Sequence, residues 1–555
     1  CLATRCLSRH GPTGAYRNRC WGPPVTTQVD PFTLEVIRNA LTAIAEEMSF
    51  VVMRAARSPL LREAGDLSSA ITGASGEMVA QGRDIPIHLG VMCFTVKEFL
   101  KRVPTDRLFP GDVWFLNLPE VGGNHLPDVK AIQPIFVDHT LQAFAVSLAH
   151  WADIGGAAPG SYATSATDAW QEGLRIPPVR LFTKEGPDRE KLDFVLANVR
   201  GAAEREGDIL AQMASTRSAD FRMRELYARH GLETVNQAID ALHDRAEAQM
   251  RTAIAKLPPG EYTGEDWLDD DGIEDRRIAV RVRVVLSENG AVFDFSDSDD
   301  AARGPINTTP FIASSAVFYT MKTLAGPDIQ PNGGCYRPLT VITRPGSILE
   351  PPIDLPVVGG NHETSQRVAD AIFRALEPIV PEKLTAGGAT TSGLLLFSGK
   401  RADGSWVTLY EPHGGGEGAR VDRDGASVVR VHLSNVMNTP AEIIEAEYPI
   451  LIESQRLRHG SGGGGVHRGG DGLYREYTVL ADDMSLTTMF ERRVIPPYGL
   501  QGGENGAPFR VHLVTADGQQ KELPGKTNIR LRKGDRVILE SSGGGGYGAR
   551  PENQT

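Results

Sequence analysis

The sequence predicts an α+β chain, a large multi-subdomain mixed fold, and three observations carry that expectation. Two long apolar runs, 131–137 and 141–150, are separated only by Asp138, His139 and Thr140, the pattern of a β-hairpin. Residues 191–257 read as three helices. The C-terminal part reads as short strands punctuated by glycine, in phrases such as HGGGEGAR, HGSGGGGVHRGGDG and SSGGGGYG. At 555 residues the chain is too long for one compact core.

Composition narrows the classes. Hydrophobic residues make up 41% and charged residues 23%, ordinary for a water-soluble chain. No run of about 18 apolar residues occurs, so no transmembrane helix is expected. The formal charge of −12 argues against a general nucleic-acid surface. Of the five cysteines, three fall in the first twenty residues and none has C-x-x-C spacing, so neither a zinc knuckle nor a redox motif is suggested. The low count suits a reducing cytoplasm, the expected location.

Taken in order, residues 1–29 carry Arg5, Arg9, Arg17 and Arg19 and no acidic residue. They are expected to be a non-native or disordered extension, with the true start at Val25. Asp30 and Pro31 open a helix as N-cap and first-turn proline, and Leu34, Ile37, Leu41, Ile44, Met48 and Val51 carry its period to about Arg57. Residues 65–82 read as a hairpin around Gly73–Gly76, and IPIHLGVM leads into a helix near 94–103. Arg229, His230 and Gly231 read as a helix C-terminus, with His230 capping it. The acidic run 265–275 lacks calcium-loop spacing and reads as a solvated turn. Residues 278–285 and 291–295 read as strands around Asn289 and Gly290, and Ser365 or Thr364 as the cap of a helix ending at Leu376. Residues 528–539 read as a strand. The expected division is 30–190, the region of the candidate metal site; 191–258, helical; 259–358, β-rich; and 359–555, a Gly-rich α/β region.

The organising stretch is 122–156, which holds H-x-x-D twice, as His125 with Asp128 and as His150 with Asp153. If Val137 pairs with Leu141, the register sets Asp128 opposite His150 and His125 opposite Asp153, with side chains about 4.5–5.5 Å apart. Two histidines and a carboxylate suit a divalent transition metal. The other reading is a polar hairpin end, with His150 capping a strand and Asp128 bonding turn amides.

GGNHLPD followed by AHWADIGG resembles the metal-site signature of the hydantoinase B / oxoprolinase family. DFSDSD, GPIN, NGGCYRPL, PGSILEPP and GGNHETSQRVADAIFRAL continue the likeness in order, over nearly everything from Asp30 to Gly548. The chain departs from the pattern at His413 and at its end, GGGGYGARPENQT. The resemblance implies that His125, Asp128 and His150 hold the metal, which would be Mn, Zn or Fe. A hairpin followed by H-L-G implies that Asp66 and His88 face the site; for His88 a half-buried histidine bonded to backbone is the other reading. His362, set among glycines, is a weaker candidate. Asp153 would orient His150 or a water, or complete the ligand set.

Family members of this kind use ATP to phosphorylate the carbonyl oxygen of a ring amide or imide. The sequence shows no phosphate loop: around Lys526 and Thr527, Gln520 stands where the pattern needs glycine. A nucleophile elbow is also missing, since His459 precedes Ser461 where glycine is required. ATP and Mg are therefore expected on a partner, a hydantoinase A-type ATP-binding subunit, in a hetero-oligomer. The implied function is the B subunit of an ATP-dependent cyclic amidohydrolase of the hydantoinase, N-methylhydantoinase or lactamase type. The alternatives are a subunit of an ATP-dependent ketone carboxylase and a non-catalytic scaffold for an A subunit.

Overall fold

A computed structural model describes residues 29–550. Apart from Val29, the expected extension lies outside the described residues.

The candidate hairpin is the centre of a seven-stranded antiparallel sheet. Its strands are β1 (Leu67–Gly73), β2 (Met78–Gln81), β3 (Val113–Leu116), β4 (Asp128–Val137), β5 (Thr140–His150), β6 (Val179–Thr183) and β7 (Gly186–Pro187), in the order β2-β1-β5-β4-β3-β6-β7. Both faces are covered, which is why β4 and β5 read as nearly continuous apolar runs. Val129, Ala131 and Ala149 pack with Trp151 and Leu181 on one face. Ile132, Val146 and Leu148 pack with the helix Pro86–Arg102 on the other.

The hairpin register has one correction. Val137 pairs with Thr140, not Leu141, and a shift between Ile135 and Phe136 restores the expected pairing from Ile135–Ala143 down to Asp128–His150. The turn is therefore two residues, Asp138 and His139, both at positive φ (48° and 65°), as a type I′ hairpin turn demands. Asp128 opposite His150 is the last rung, so His125 and Asp153 lie beyond the ladder.

The opening helix runs Pro31–Ala55, and the Asp30 carboxylate caps it by accepting from Phe32 N and Thr33 N, each at 3.0 Å. A short helix, Pro59–Arg62, follows, and the helix expected near residue 94 begins at Pro86, so His88 stands in its first turn. Gly90 is needed there because any side chain would strike Ser315 on the helix Pro310–Ala325. Three helices follow the first sheet, Arg189–Ala197, Ala202–His230 and Leu232–Ile254, and Gly231 ends the second with φ 83°.

A four-stranded sheet spans Gly260–Leu268, Ile278–Ser287, Gly290–Asp294 and Leu339–Ile342. The acidic run that begins in its first strand is solvated only at its end, where Glu274 and Asp275 are exposed. Asp266 lies 3.0 Å from Arg367 and 2.7 Å from Arg492, while Asp269 accepts from the amides of Arg493, Val494 and Ile495. Buried cations and amides took carboxylates that composition alone assigns to water. The helix Thr364–Leu376 follows, with neither Thr364 nor Ser365 as its cap: Thr364 Oγ1 bonds Ile306 O and Ser365 Oγ bonds Asn361 O at 2.6 Å. Two further sheets, of four and five strands, complete the C-terminal part. The expected strand 528–539 is two, Lys526–Leu531 and Arg536–Glu540, in different sheets. The glycine clusters stack backbone on backbone: Gly544 N bonds Gly470 O (2.9 Å), Gly470 N bonds Glu417 O (2.9 Å) and Gly416 N bonds Ser542 O (2.9 Å). Among the described residues no helix is long and apolar enough to cross a membrane.

Candidate functional site

The last rung of the β4–β5 ladder brings Asp128 and His150 side by side, and the loop before β4 delivers His125. That loop is fixed by Gly122, whose φ of 63° and close approach to Phe94 and Thr95 admit no side chain. Thr95 Oγ1 ties it further by bonding Gly122 O. Asp128 Oδ1 is 3.0 Å from His125 Nε2 and 2.9 Å from His150 Nδ1, and the two nitrogens are 3.3 Å apart. All three residues are buried.

The surroundings orient each member. His125 Nδ1 lies 2.8 Å from Val358 O, so a neutral ring donates there and turns the Nε2 lone pair towards Asp128. Val358 is itself anchored, its N–H donating to Glu172 Oε1 at 2.7 Å. Asp128 Oδ2 faces His88 Nε2 and Asn361 Nδ2, each at 3.3 Å. Burial pushes the Asp128 carboxyl up, but when His125 carries a second proton, on Nε2, the His125 and His88 imidazoles and the hydrogen bonds from His125 and His150 outweigh it and hold the group well below the usual carboxylate range. His150 Nε2 is buried without a hydrogen-bonding partner among the described residues. Beneath the trio, Lys130 is buried with Nζ 3.3 Å from Asp128 O, and desolvation pulls its ammonium down to about 8.

The remaining sequence candidates divide. His88 reaches Asp128 and sets Nδ1 3.2 Å from Ser68 Oγ. Asp66 precedes β1, and its backbone O accepts from His150 N at 3.0 Å. Its side chain is buried with no hydrogen bond among the described residues, and its charge raises the Tyr410 and Tyr162 hydroxyl pKa values beyond what their burial does. Asp153 goes elsewhere. Oδ1 accepts from Gly155 N (2.8 Å) and Arg200 N (3.1 Å), and Oδ2 from Gly160 N (2.7 Å) and Arg200 Nη1 (3.1 Å). The ladder stops at His150, so the second H-x-x-D turns its carboxylate into a loop clamp and does not set it beside His125 or His150.

Four more side chains line the site: His362, the weaker sequence candidate, and Asn361, Tyr162 and Tyr410, which the sequence reading did not single out. The Tyr410 ring packs 4.4 Å from that of His150, and Tyr162 OH lies 3.1 Å from Tyr410 OH. His362 Nε2 is 3.1 Å from Tyr162 OH, and Asn361 Nδ2 is 3.2 Å from His125 Nε2. Asn361 and His362 sit in a second G-G-N-H, at 359–362, that repeats the GGNH of 122–125. That repeat was the legible signal. The two tyrosines had none.

Comparison with known proteins gives a consistent picture. The family described as Hydantoinase B/oxoprolinase matches residues 30–550. A Pseudomonas sp. (strain NS671) protein, named as a putative B subunit of a D-/L-hydantoinase, is 30% identical over 545 residues, covering 94% of this chain and 90% of that protein. The 5-oxoprolinase of Dictyostelium discoideum is 30% identical over 531 residues, and this chain spans 41% of its length. The crystal structure of ATP-dependent caprolactamase from Pseudomonas jessenii superposes with a TM-score of 0.88 at 29% identity, covering 95% of this chain and 93% of that one.

Proposed function

The chain belongs to the hydantoinase B/oxoprolinase family, and from that premise we propose that it is the B subunit of an ATP-dependent cyclic amidohydrolase. Its substrate is a ring amide or imide, of the hydantoin, N-methylhydantoin or lactam kind, that reaches it phosphorylated on the carbonyl oxygen. ATP and Mg are handled by a separate A-type subunit. The relative named as the B subunit of a hydantoinase supports such a partner.

The observation that carries the reading is the contact of His125 Nε2, His150 Nδ1 and Asp128 Oδ1, at 2.9 to 3.3 Å from one another. With His125 Nδ1 donating to Val358, a neutral imidazole sets a lone pair against a carboxylate oxygen. A cation between them removes the repulsion, and two imidazoles with one carboxylate fit a divalent transition metal such as Mn, Zn or Fe. Ligand atoms about 2.0–2.2 Å from such an ion lie little more than 3 Å apart. When bound, the metal lowers the pKa of water and polarises a substrate oxygen.

The chain's own residues do the rest. Asp66, buried and without a hydrogen bond among the described residues, takes a proton from the water that attacks the phosphorylated carbon and returns it to the ring nitrogen. The C–N bond breaks to leave an amine and an acyl phosphate, from which a second water releases phosphate and the ring-opened acid. His88 and Asn361 hold Asp128 in place from its second oxygen. Tyr410 and Tyr162 close the apolar side and exclude bulk water, their hydroxyls kept protonated by burial.

The test is metal analysis of the purified chain, then ring opening by the chain with its A-type partner across hydantoins, lactams and 5-oxoproline. ATP-dependent release of the ring-opened acid without bicarbonate is expected. A bicarbonate requirement would move the chain to the carboxylases. A chain without bound metal that still supports turnover would end the metal reading.

A further inference from the structure

The fully buried arginines are paired with carboxylates. Arg205 lies 2.5 Å from Asp208, Arg475 2.6 Å from Glu411, Arg367 3.0 Å from Asp266, and Arg492 2.7 Å from both Asp266 and Asp370. Arg430 differs. It is half-buried and makes no ion pair among the described residues. Nη1 donates to Ser392 O at 2.9 Å, and Nε and Nη2 donate to Ser434 Oγ at 3.2 and 2.7 Å. A guanidinium has five N–H donors, so two are left over. A cation drawn out of water without a counter-ion is costly to keep.

The backbone around it is also unusual. Val428 and His432, two residues before and after, both have φ of 53°. That region is poorly tolerated by a β-branched residue, and such strain persists only where the surroundings impose it. Here Val428 N bonds Asp471 O (3.0 Å), Val429 N bonds Gly415 O (2.8 Å), and His432 Nε2 lies 3.3 Å from Asp370 Oδ1.

A chain of contacts links Arg430 to the site through Ser392, Glu363, His362 and Tyr162. Ser392, whose carbonyl it bonds, donates N–H to Glu363 Oε1 at 2.9 Å. That oxygen is 3.0 Å from His362 Nδ1, and His362 Nε2 is 3.1 Å from Tyr162 OH, which is 3.5 Å from His125 Nδ1. Desolvation pulls the guanidinium below its usual range, and Tyr410, Asp66 and Glu363 are the groups whose charge acts on it.

We infer that Arg430 binds the phosphoryl group of the activated substrate, offering its two spare donors to the phosphate oxygens while the ring carbon lies towards His125, Asp128 and His150. The planar fork suits two parallel bonds to a phosphate, which a lysine cannot reproduce. The inference rests on the reading that the substrate arrives phosphorylated.

The test uses inorganic phosphate and the metal-stripped full chain, so that no metal ion holds the anion. In phenylglyoxal labelling read by peptide mass spectrometry, phosphate should slow modification of Arg430 and leave exposed Arg83 unchanged. In calorimetry, Arg430→Gln should weaken phosphate binding about tenfold or more, and Arg430→Lys by less. Equal labelling of Arg430 with and without phosphate overturns the assignment. So does undiminished phosphate binding by Arg430→Gln, or protection by acetate but not by phosphate. If Arg430→Gln does not fold, labelling of the wild-type chain decides. None of these measurements needs turnover. Protection of Arg430 in a chain that opens no ring would count against the hydrolase reading alone; ring opening without protection would count against Arg430 alone.

Discussion

His125 Nε2 and His150 Nδ1 lie 3.3 Å apart with the same oxygen of Asp128 within 3.0 Å of each. One oxygen could accept from both rings only if both carried hydrogen on those atoms. The Val358 carbonyl already draws the hydrogen of a neutral His125 to Nδ1. The trio therefore needs an extra positive charge, and a metal bound among the three residues would supply it.

Replacing His125, Asp128 or His150 by alanine is thus expected to abolish turnover and strip the metal. Loss of an outer partner typically costs roughly 10–100-fold in metal affinity, and loss of a ligand should exceed that. Elemental analysis after dialysis measures it. His139→Ala, at the far end of the hairpin, should keep a full complement of metal. If His150→Ala keeps it as well, the ligand set is wrong.

Asp153→Asn should separate folding from chemistry. Its carboxylate bonds three amides and the Arg200 guanidinium and touches none of the three candidate ligands. Removing the charge from this buried cluster should cost about 2–4 kcal/mol of stability in denaturant unfolding. Metal content should stay at the wild-type level; a drop in metal without a drop in stability would return Asp153 to the site.

The sequence carried the part of this site that local chain geometry controls. Asp128 opposite His150 followed from hairpin register, and the register survived an error in the turn because a bulge at Ile135–Phe136 compensated for it. Asp153 failed because the same arithmetic was extended past the last rung, where no ladder holds residues opposite each other. Tyr162 and Tyr410 were invisible because they meet His125 and His150 only through tertiary packing across long separations. Asp266 was misread for a related reason: its arginine partners at 367 and 492 lie over a hundred residues away. Three helices over 191–257 were legible because their caps and periods are local, as Gly231 shows.

The hairpin turn offers a stability test away from the site. Asp138 and His139 both sit at positive φ, and His139 lacks the freedom that glycine has there. Histidine in the left-handed region costs roughly 1 kcal/mol, partly offset by the entropy that glycine loses on folding. His139→Gly should therefore stabilise the chain by up to about 0.5 kcal/mol with metal content unchanged. A destabilised variant would mean that the His139 side chain makes contacts that outweigh the strain.

Glu172 links stability to pH. It is buried, accepts from Val358 N, and leaves Oε2 without a partner among the described residues. Desolvation pushes its carboxyl from the usual 4.5 up to about 8, against the pull of the Val357 and Val358 amides. Between these two values the folded chain holds a proton that the unfolded chain has released. The folded state then binds more protons, so its stability falls as pH rises across that window, by up to about 1.4 kcal/mol per pH unit. Below about 4.5 both states are protonated and the penalty vanishes. Glu172→Gln cannot ionise, yet keeps a carbonyl to accept from Val358. It should lose this slope, matching the wild type near pH 4 and exceeding it increasingly towards pH 8 in denaturant unfolding. Because Val358 O orients His125, metal affinity should also change less with pH in the variant over that range. Parallel stability curves for the two proteins between pH 5 and 8 would show that Glu172 stays ionised in the folded chain, and that its amide contacts outweigh its burial.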